Sequence, residues 1–219
     1  MEKIKNIRKK LRHQRSVRRR KLGLSTPTQI ICVSFIIVIA LGTLLLTLPI
    51  ASRHGRLDVL NAMFTATSAT CVTGLVVRDT WSQFTWFGQA VVLLLIQVGG
   101  LGLVTLTSFF ALAMRRRMGF RDLRLLGESV SADGYDQAKS VLKIVVGLAA
   151  MFEGIGILLL LFAFVPQFGL EGIWISVFTA ISAFCNAGFD LFGRFGAYSS
   201  LAPYVNNYYV QAVIMFMII

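Results

Sequence analysis

The fold is decided by a stretch of sequence that occurs twice, FTATSATCVTGL at residues 64–75 and FTAISAFCNAGF at residues 178–189. At a constant offset of 114 residues, without a gap, seven of the twelve positions are identical. The identities include small and polar residues rather than only Leu and Val, and each copy carries a glycine near its end, Gly74 and Gly188. Both copies run in the same direction, so the sequence predicts two parallel repeats rather than inverted ones.

Long uncharged stretches surround the two copies. Apolar residues make up 56% of the chain and charged residues 15%, with a mean hydropathy of +0.71. A soluble domain has about 45–50% apolar and about 25% charged residues, so the composition favours a polytopic membrane protein and excludes a disordered one. The candidate membrane-spanning stretches are 28–48, 84–114, 144–165, which Pro166 is expected to close, and a last one from Tyr208 onward.

Two shorter apolar segments lie between these spans, at 57–70 and 172–184. With about 13 residues each, they are too short to cross a bilayer core, which requires about 20. Each is followed by a loop that contains the glycine of the repeat. The sequence therefore predicts an all-α polytopic membrane protein with two tandem units, each made of a helix, a short re-entrant helix, a pore loop and a second helix.

The positive charge is concentrated in two segments. The formal charge is +12, of which residues 1–24 carry +10 (eleven Lys or Arg against Glu2) and residues 115–143 carry +3. A nucleic-acid-binding arm is disfavoured because residues 1–24 contain no aromatic side chain to stack on bases. The positive-inside rule explains both segments and predicts that they lie in the cytoplasm, against anionic membrane lipids.

These boundaries predict four regions: a basic cytoplasmic arm at 1–24, a first repeat at 25–114, a cytoplasmic linker at 115–143 and a second repeat at 144–219. Gln211-Ala212-Val213 also matches Gln89-Ala90-Val91 at an offset of 122 residues. In that register the chain stops within the last helix of the second repeat. We therefore expect a fragment or a prematurely ended copy of a longer protein.

The loops suit the selection of a cation by backbone atoms. Non-helical backbone at membrane depth is tolerated only where it is buried in protein or lines a watery cavity. Several such loops can replace the hydration shell of a monovalent cation with carbonyl oxygens, in a potassium-channel-like pore. Gly74 and Gly188 suit this task because inward carbonyls on consecutive residues need backbone angles that a side chain penalises. The nearest acids, Asp79 and Asp190, are expected at the outer mouth, where they would concentrate cations.

Three motifs resemble the membrane subunit of bacterial Trk/Ktr-type potassium uptake systems, with the Ktr-like branch nearest. They are TATSATCVTGLVVRDT at 65–80, GQAVVLLLIQVGGLGLVT at 88–105 and ISAFCNAGFDLFG at 181–193. The resemblance extends from Ser25 onward and implies a complete subunit of four repeats around one pore, of which this chain holds the first two. It implies potassium-binding backbone carbonyls on both loops, at Val72, Thr73, Gly74, Asn186, Ala187 and Gly188.

The same resemblance implies partners and a location. It places the chain in the bacterial plasma membrane as a multi-pass protein with a cytoplasmic N-terminus. It implies a cytoplasmic nucleotide-binding regulatory ring as the partner, a homodimer of complete subunits, transported K⁺ with a leaning toward Na⁺ dependence, and no tightly bound cofactor. The third and fourth repeats, including the gating loop of the third, are absent from this chain.

Polar residues and glycines inside the spans have competing interpretations. Glu153 is either an ion-path residue or the partner of a hydrogen bond to another helix, and Gln97 suits such helix packing. The run Gly99-Gly100-Leu101-Gly102 follows no strand, so it predicts close helix packing or a kink rather than a dinucleotide-binding loop. Close packing is also expected at three further glycines, Gly147, Gly154 and Gly156.

Catalysis is disfavoured throughout. The chain contains no GxSxG, HExxH or P-loop motif. Its three cysteines, of which Cys71 and Cys185 occupy equivalent positions in the repeat, have no neighbouring histidine, which favours free thiols over a transition-metal site. We therefore expect no enzyme and no transition metal.

The leading hypothesis is the N-terminal half of a K⁺-translocating subunit. The first alternative is a non-conducting, truncated membrane scaffold that assembles with a full-length subunit. The second is a four-loop pore assembled from two copies of this chain.

Overall fold

The computed structural model describes the backbone of residues 27–116 and 130–218, with side chains described at 32–102, 140 and 143–218. The predicted basic arm and residues 117–129 of the predicted linker lie outside this range. Contacts divide the chain into two units, 1–38 and 39–219. The described part of the first unit, 27–38, is helical throughout.

The described chain is helical, and no strand occurs within it. An isolated antiparallel bridge joins Ser52 to Phe84. Short 3-10 helices lie at Pro49–Ala51, Phe192–Arg194 and Ala202–Tyr204. The α-helices are α1 (Pro27–Leu46), α2 (Val59–Thr70), α3 (Thr80–Gln83), α4 (Trp86–Arg116), α5 (Val130–Phe168), α6 (Glu171–Phe184) and α7 (Tyr208–Ile218).

The two short apolar segments form short helices, as predicted. Helix α2 has 12 residues and α6 has 14. At about 1.5 Å per residue, both are shorter than the hydrocarbon core, which is about 30 Å thick. The all-α class is therefore confirmed.

Helix α5 ends later than the sequence suggests. Pro166 was expected to close this span but lies inside the helix. Gly169 ends it instead, because this residue has a φ of +62° and its N–H donates to the carbonyl of Val165 at 2.8 Å. A glycine in the left-handed conformation is a common helix stop. At its other end α5 begins at Val130, so the second half of the predicted linker is part of this helix.

One helical segment among the described residues, Lys143–Phe168, is long and apolar enough to cross a membrane by length and composition. The other predicted spans coincide with shorter apolar helices, Cys32–Leu46, Trp86–Gly102 and Tyr208–Ile218. On the long segment, Phe162 is 77% exposed and Leu158 is 61% exposed. Exposed apolar side chains on such a helix suit a hydrocarbon environment or a further helix.

Glycines in α5 do not all serve close packing. A Cβ atom on Gly156 would meet the side chain of Met217 in α7, so this glycine permits a close approach, as predicted. A Cβ atom on Gly147 or Gly154 would meet nothing within 4 Å. The prediction of close packing was therefore wrong for these two glycines, since α5 presents them to open space.

Gly169→Ala and Gly147→Ala test the helix stop against a matched control. Gly169→Ala should lower the free energy of unfolding by about 1–2 kcal/mol, because a Cβ atom penalises the left-handed conformation. Gly147→Ala should instead raise it by up to about 1 kcal/mol, since alanine is the better helix former and meets no neighbour. Thermal unfolding of the purified protein in detergent measures both. If both variants changed the free energy of unfolding equally and in the same direction, Gly169 would not be the residue that ends α5.

Candidate filter loops

The loops that follow α2 and α6 have the same backbone conformation. Val72 and Asn186 both have a φ of +56°, and Gly74 and Gly188 have φ values of +72° and +71°. These pairs are separated by the offset of the sequence repeat. The duplication therefore extends to an uncommon backbone geometry in which positive φ recurs at alternate residues.

Each short helix also ends with the same pair of hydrogen bonds. In the first repeat, Val72 N–H donates to the carbonyl of Ala69 at 3.3 Å and Thr73 N–H to that of Ser68 at 3.0 Å. The equivalent bonds in the second repeat are Asn186 to Ala183 at 3.0 Å and Ala187 to Ser182 at 2.8 Å. This is the Schellman arrangement, with residue 72 or 186 in the left-handed position.

The left-handed position is occupied by very different residues. Asparagine tolerates positive φ, whereas a β-branched residue there is a genuine outlier. Val72 therefore carries backbone strain that Asn186 avoids. Strained residues persist where the surrounding structure over-determines them, and they cluster at functional sites.

The two loops touch at their glycines. A Cβ atom built on Gly74 would lie 3.0 Å from the carbonyl oxygen of Ala187, and one on Gly188 would lie 3.3 Å from the Cα atom of Gly74. Glycine is therefore favoured at both positions by φ, and also by space, because a Cβ atom at either position would make an unusually tight contact with the other loop. The six predicted carbonyl-bearing residues are brought together in two adjacent loops.

A buried serine supports each loop. Ser68 and Ser182 occupy equivalent positions in the repeat, and each is 3% exposed. Ser68 Oγ lies 3.0 Å from Thr73 Oγ1, and Ser182 Oγ donates to the carbonyl of Phe189 at 2.6 Å. These serines are not among the site residues predicted from the sequence, although their identity in both copies of the repeat is a signal that could have found them.

Helix α4 contacts the carboxyl ends of both short helices. A Cβ atom on Gly99 would collide with the carbonyl of Thr70, and one on Gly100 would lie 2.5 Å from the sulfur of Cys185. The prediction of close helix packing at Gly99 and Gly100 is thus confirmed.

A hydrogen bond between two side chains joins α4 to α5. Gln97 Nε2, in α4, donates to Glu153 Oε1, in α5, at 2.8 Å. This agrees with the hydrogen-bond interpretation of Glu153.

The two acids come close to each other and are bound to local groups. Asp79 Oδ2 accepts from Ser82 N–H at 2.8 Å and caps α3, and Tyr198 N–H lies 3.4 Å from its Oδ1. Asp190 Oδ1 accepts from Phe192 N–H at 2.9 Å. Burial raises the pKa of Asp190 above its usual range, and the charge of Asp79 adds to this effect. Asp79 is itself buried, at 7% exposed.

Within the described residues the protein consists of helices and loops, and the segment Lys143–Phe168 is long and apolar enough to cross a membrane. The chain belongs to the TrkH family of cation transport proteins, whose family model matches residues 4–219. Members of this family are ion transporters, which confirms that the chain is not an enzyme and confirms the resemblance noted from its motifs.

Several curated relatives are similar over most of this chain. It is 37% identical to the potassium/sodium uptake protein NtpJ of Enterococcus hirae over 190 residues, which are 86% of this chain and 41% of the relative. It is 38% identical to the Ktr system potassium uptake protein B of Bacillus subtilis, over 89% of this chain and 42% of the relative. It is 31% identical to the Ktr system potassium uptake protein D of Bacillus subtilis, over 89% of this chain and 43% of the relative. The chain thus spans about two fifths of the length of these relatives.

Exchanging residues 72 and 186 between the repeats tests whether Val72 carries backbone strain in its left-handed conformation. Val72→Asn should raise the free energy of unfolding by about 1 kcal/mol, because asparagine adopts positive φ more easily. Asn186→Val should lower it by a similar amount. Thermal unfolding in detergent measures both variants, and a loss of stability in both would show that Val72 carries no strain.

Proposed function

We propose that this chain forms half of the ion path of a potassium uptake protein, and that backbone carbonyls of its two loops select K⁺. The observation that carries the proposal is the contact between two loops of identical backbone conformation, with glycines where they meet. The names of the relatives, which are potassium or potassium/sodium uptake proteins, support K⁺ as the transported ion.

The conformation of the loops supports carbonyl selection. In an extended strand, successive carbonyls alternate between two sides. Positive φ at residues 72 and 74 breaks this alternation and allows several carbonyls to turn toward one side. The proposed ligands are therefore the carbonyls of Val72, Thr73, Gly74, Asn186, Ala187 and Gly188.

The short helices add a favourable electrostatic field. The carboxyl end of a helix carries partial negative charge, equivalent to about half an elementary charge. Helices α2 and α6 both end at the loops, so this partial charge faces the proposed ion path. No carboxylate is required for such a site.

Two loops do not surround an ion, so the proposal requires further loops from the complete protein. Helix α2 supports this requirement, since Leu60 is 67% exposed and Phe64 is 39% exposed. The equivalent positions of α6 are better covered, because Phe178 is fully buried and Trp174 is half-buried, with its Nε1 donating to Gln89 Oε1 at 2.8 Å. We propose that the exposed side of α2 packs against another repeat.

We propose the remaining assembly from the charge pattern and the family. The N-terminus and the segment at 115–143 would face the cytoplasm of a bacterial cell, where positive-inside orientation places basic segments. A cytoplasmic nucleotide-binding regulatory ring would dock on this side, and complete subunits would form a homodimer. Dependence of uptake on Na⁺ is proposed because one relative is a potassium/sodium uptake protein.

Gly74→Ser in the complete protein tests the filter. The new Cβ atom would stand 3.0 Å from the carbonyl oxygen of Ala187 and would displace both loops. We expect K⁺ over Na⁺ selectivity to fall about tenfold, which corresponds to about 1.4 kcal/mol of differential binding. Uptake of both ions in a potassium-uptake-deficient bacterium measures the ratio.

Gly55→Ser is the matched control for this experiment. Gly55 also has a positive φ, +86°, but a Cβ atom there would meet nothing within 4 Å. Its replacement should therefore add similar backbone strain while leaving selectivity unchanged. An unaltered K⁺/Na⁺ ratio in Gly74→Ser would overturn the filter assignment.

A further inference from the structure

The segment at 193–200 of the second repeat lies against the chain that follows the first loop. Tyr198 OH donates to the carbonyl of Val77 at 2.8 Å, and the backbone N–H of Tyr198 lies 3.4 Å from Asp79 Oδ1. Val77 is three residues beyond Gly74. One residue of the second repeat therefore contacts the continuation of the first loop with both its side chain and its backbone.

Two further contacts fix the same segment. A Cβ atom on Gly193 would collide with the carboxylate of Asp79, so the backbone of Gly193 packs directly on this side chain. The guanidinium carbon of Arg194 lies 5.5 Å from the ring centroid of Trp81, which is a cation–π distance. The position of Tyr198 is thus set by several contacts between the repeats and not by its hydroxyl alone.

The segment carries an uncommon backbone conformation at this contact. Tyr198 has a φ of +61° and Ser200 a φ of +48°, although neither is glycine. Ser199 Oγ donates to the carbonyl of Phe192 at 2.7 Å and holds the turn closed. Positive φ in residues with side chains persists where the surrounding structure over-determines it, and it is concentrated at functional sites. The strained backbone therefore accompanies the contact of Tyr198 with the first repeat.

The first loop lacks a support that the second loop provides for itself. In the second repeat, Ser182 Oγ donates to the carbonyl of Phe189 at 2.6 Å, and Phe189 is 3% exposed. Leu75 occupies the equivalent position in the first repeat and is 60% exposed, and Ser68 bonds Thr73 instead. Within the described part of the chain, the segment after the first filter glycine is therefore held from outside its own repeat.

We propose that Tyr198 is a positioning residue for the first loop. Its hydroxyl holds the carbonyl of Val77 and thereby keeps the carbonyls of Thr73 and Gly74 in the geometry in which they bind K⁺. The second repeat would thus set the K⁺ affinity of the first loop as well as that of its own. The consequence for K⁺ rests on the proposed function, whereas the restraint on the loop does not.

Hydrogen exchange of backbone amides in the complete protein in detergent tests the restraint. Tyr198→Phe removes only a hydroxyl, and no buried cavity results because Tyr198 is 58% exposed. Amides at 72–77 should exchange about threefold faster in this variant, which is within the effect of losing one hydrogen bond. Amides at 186–189 should be unchanged, since the second loop keeps the bond from its own serine.

Tyr209→Phe is the matched control. Tyr209 OH also donates to a backbone carbonyl, that of Leu159, at 2.9 Å, in a bond that joins α7 to α5 and involves neither loop. Tyr209 is likewise partly exposed, at 45%. Its replacement should leave the exchange of both loops unchanged.

K⁺ uptake by the same variants in a potassium-uptake-deficient bacterium tests the consequence for ion binding. Tyr198→Phe should raise the apparent KM for K⁺ and lower the K⁺/Na⁺ ratio, each about threefold, while the maximal rate stays close to that of the unmodified protein. A contact that only stabilises the fold would instead lower the maximal rate through the amount of folded protein and leave KM unchanged. Tyr209→Phe should alter neither KM nor the ratio.

Unchanged exchange at 72–77 in Tyr198→Phe, or equal acceleration in Tyr209→Phe, would overturn the positioning role. Faster exchange with an unchanged KM and an unchanged ratio would overturn its link to K⁺ binding. If Gly74→Ser leaves selectivity unaltered, the filter assignment fails, and hydrogen exchange still decides the restraint by itself. Altered selectivity in both Gly74→Ser and Tyr198→Phe, with Tyr209→Phe unaffected, supports both proposals.

Discussion

The contact between Gly74 and Gly188 constrains the rest of the structure. Two backbones approach here so closely that a Cβ atom on either glycine would displace the other loop. This contact requires α2 and α6 to end at matching positions. Helix α4 provides that alignment, since Gly99 packs on the end of α2 and Gly100 on the end of α6. The beginning of α4 also holds α6 through the hydrogen bond from Trp174 to Gln89. Helix α6 is thereby attached to α4 near both of its ends.

Both repeats reach the same loop geometry, but at different energetic cost. The hydrogen bonds that end α2 and α6 are equivalent and form whatever side chain occupies the left-handed position. Asn186 adopts this conformation with little penalty, whereas Val72 is held in it against its own preference. The first loop must therefore be over-determined by its surroundings, which include Ser68, Thr73 and the second loop. Stability in this region comes from the pair of loops rather than from either loop alone.

The sequence predicts the helices and loops well because they follow from local chemistry. The lengths of the apolar segments distinguish short helices from long ones, and the repeated Gly74 and Gly188 locate the close contact. The tertiary arrangement of these elements cannot be predicted from such local patterns. A proline near the end of α5 suggests a stop, yet the helix continues until Gly169 reverses the sign of φ. Nothing in the valine at position 72 signals a left-handed backbone. Nor does spacing reveal that Asp79 and Asp190 approach each other, since they do not occupy equivalent positions in the repeat.

The interface between the repeats indicates how such units associate. Gln89 in α4 has two bonding partners: its Nε2 donates to the carbonyl of Phe84, and its Oε1 accepts from Trp174 of the following repeat. Gln211 in α7 matches Gln89 in sequence, and its Nε2 likewise donates to preceding carbonyls, those of Tyr204 and Val205.

Gln89, on the second helix of the first repeat, thus receives the short helix α6 of the second repeat. An interface of this kind joins two different surfaces, so the contact is head-to-tail rather than self-complementary. Units that associate head-to-tail leave one surface of each kind uncovered until a ring closes. Leu60 and Phe64 of α2 occupy the positions equivalent to Trp174 and Phe178 of α6, and their exposure shows that α2 lacks such a contact within the described part of the chain.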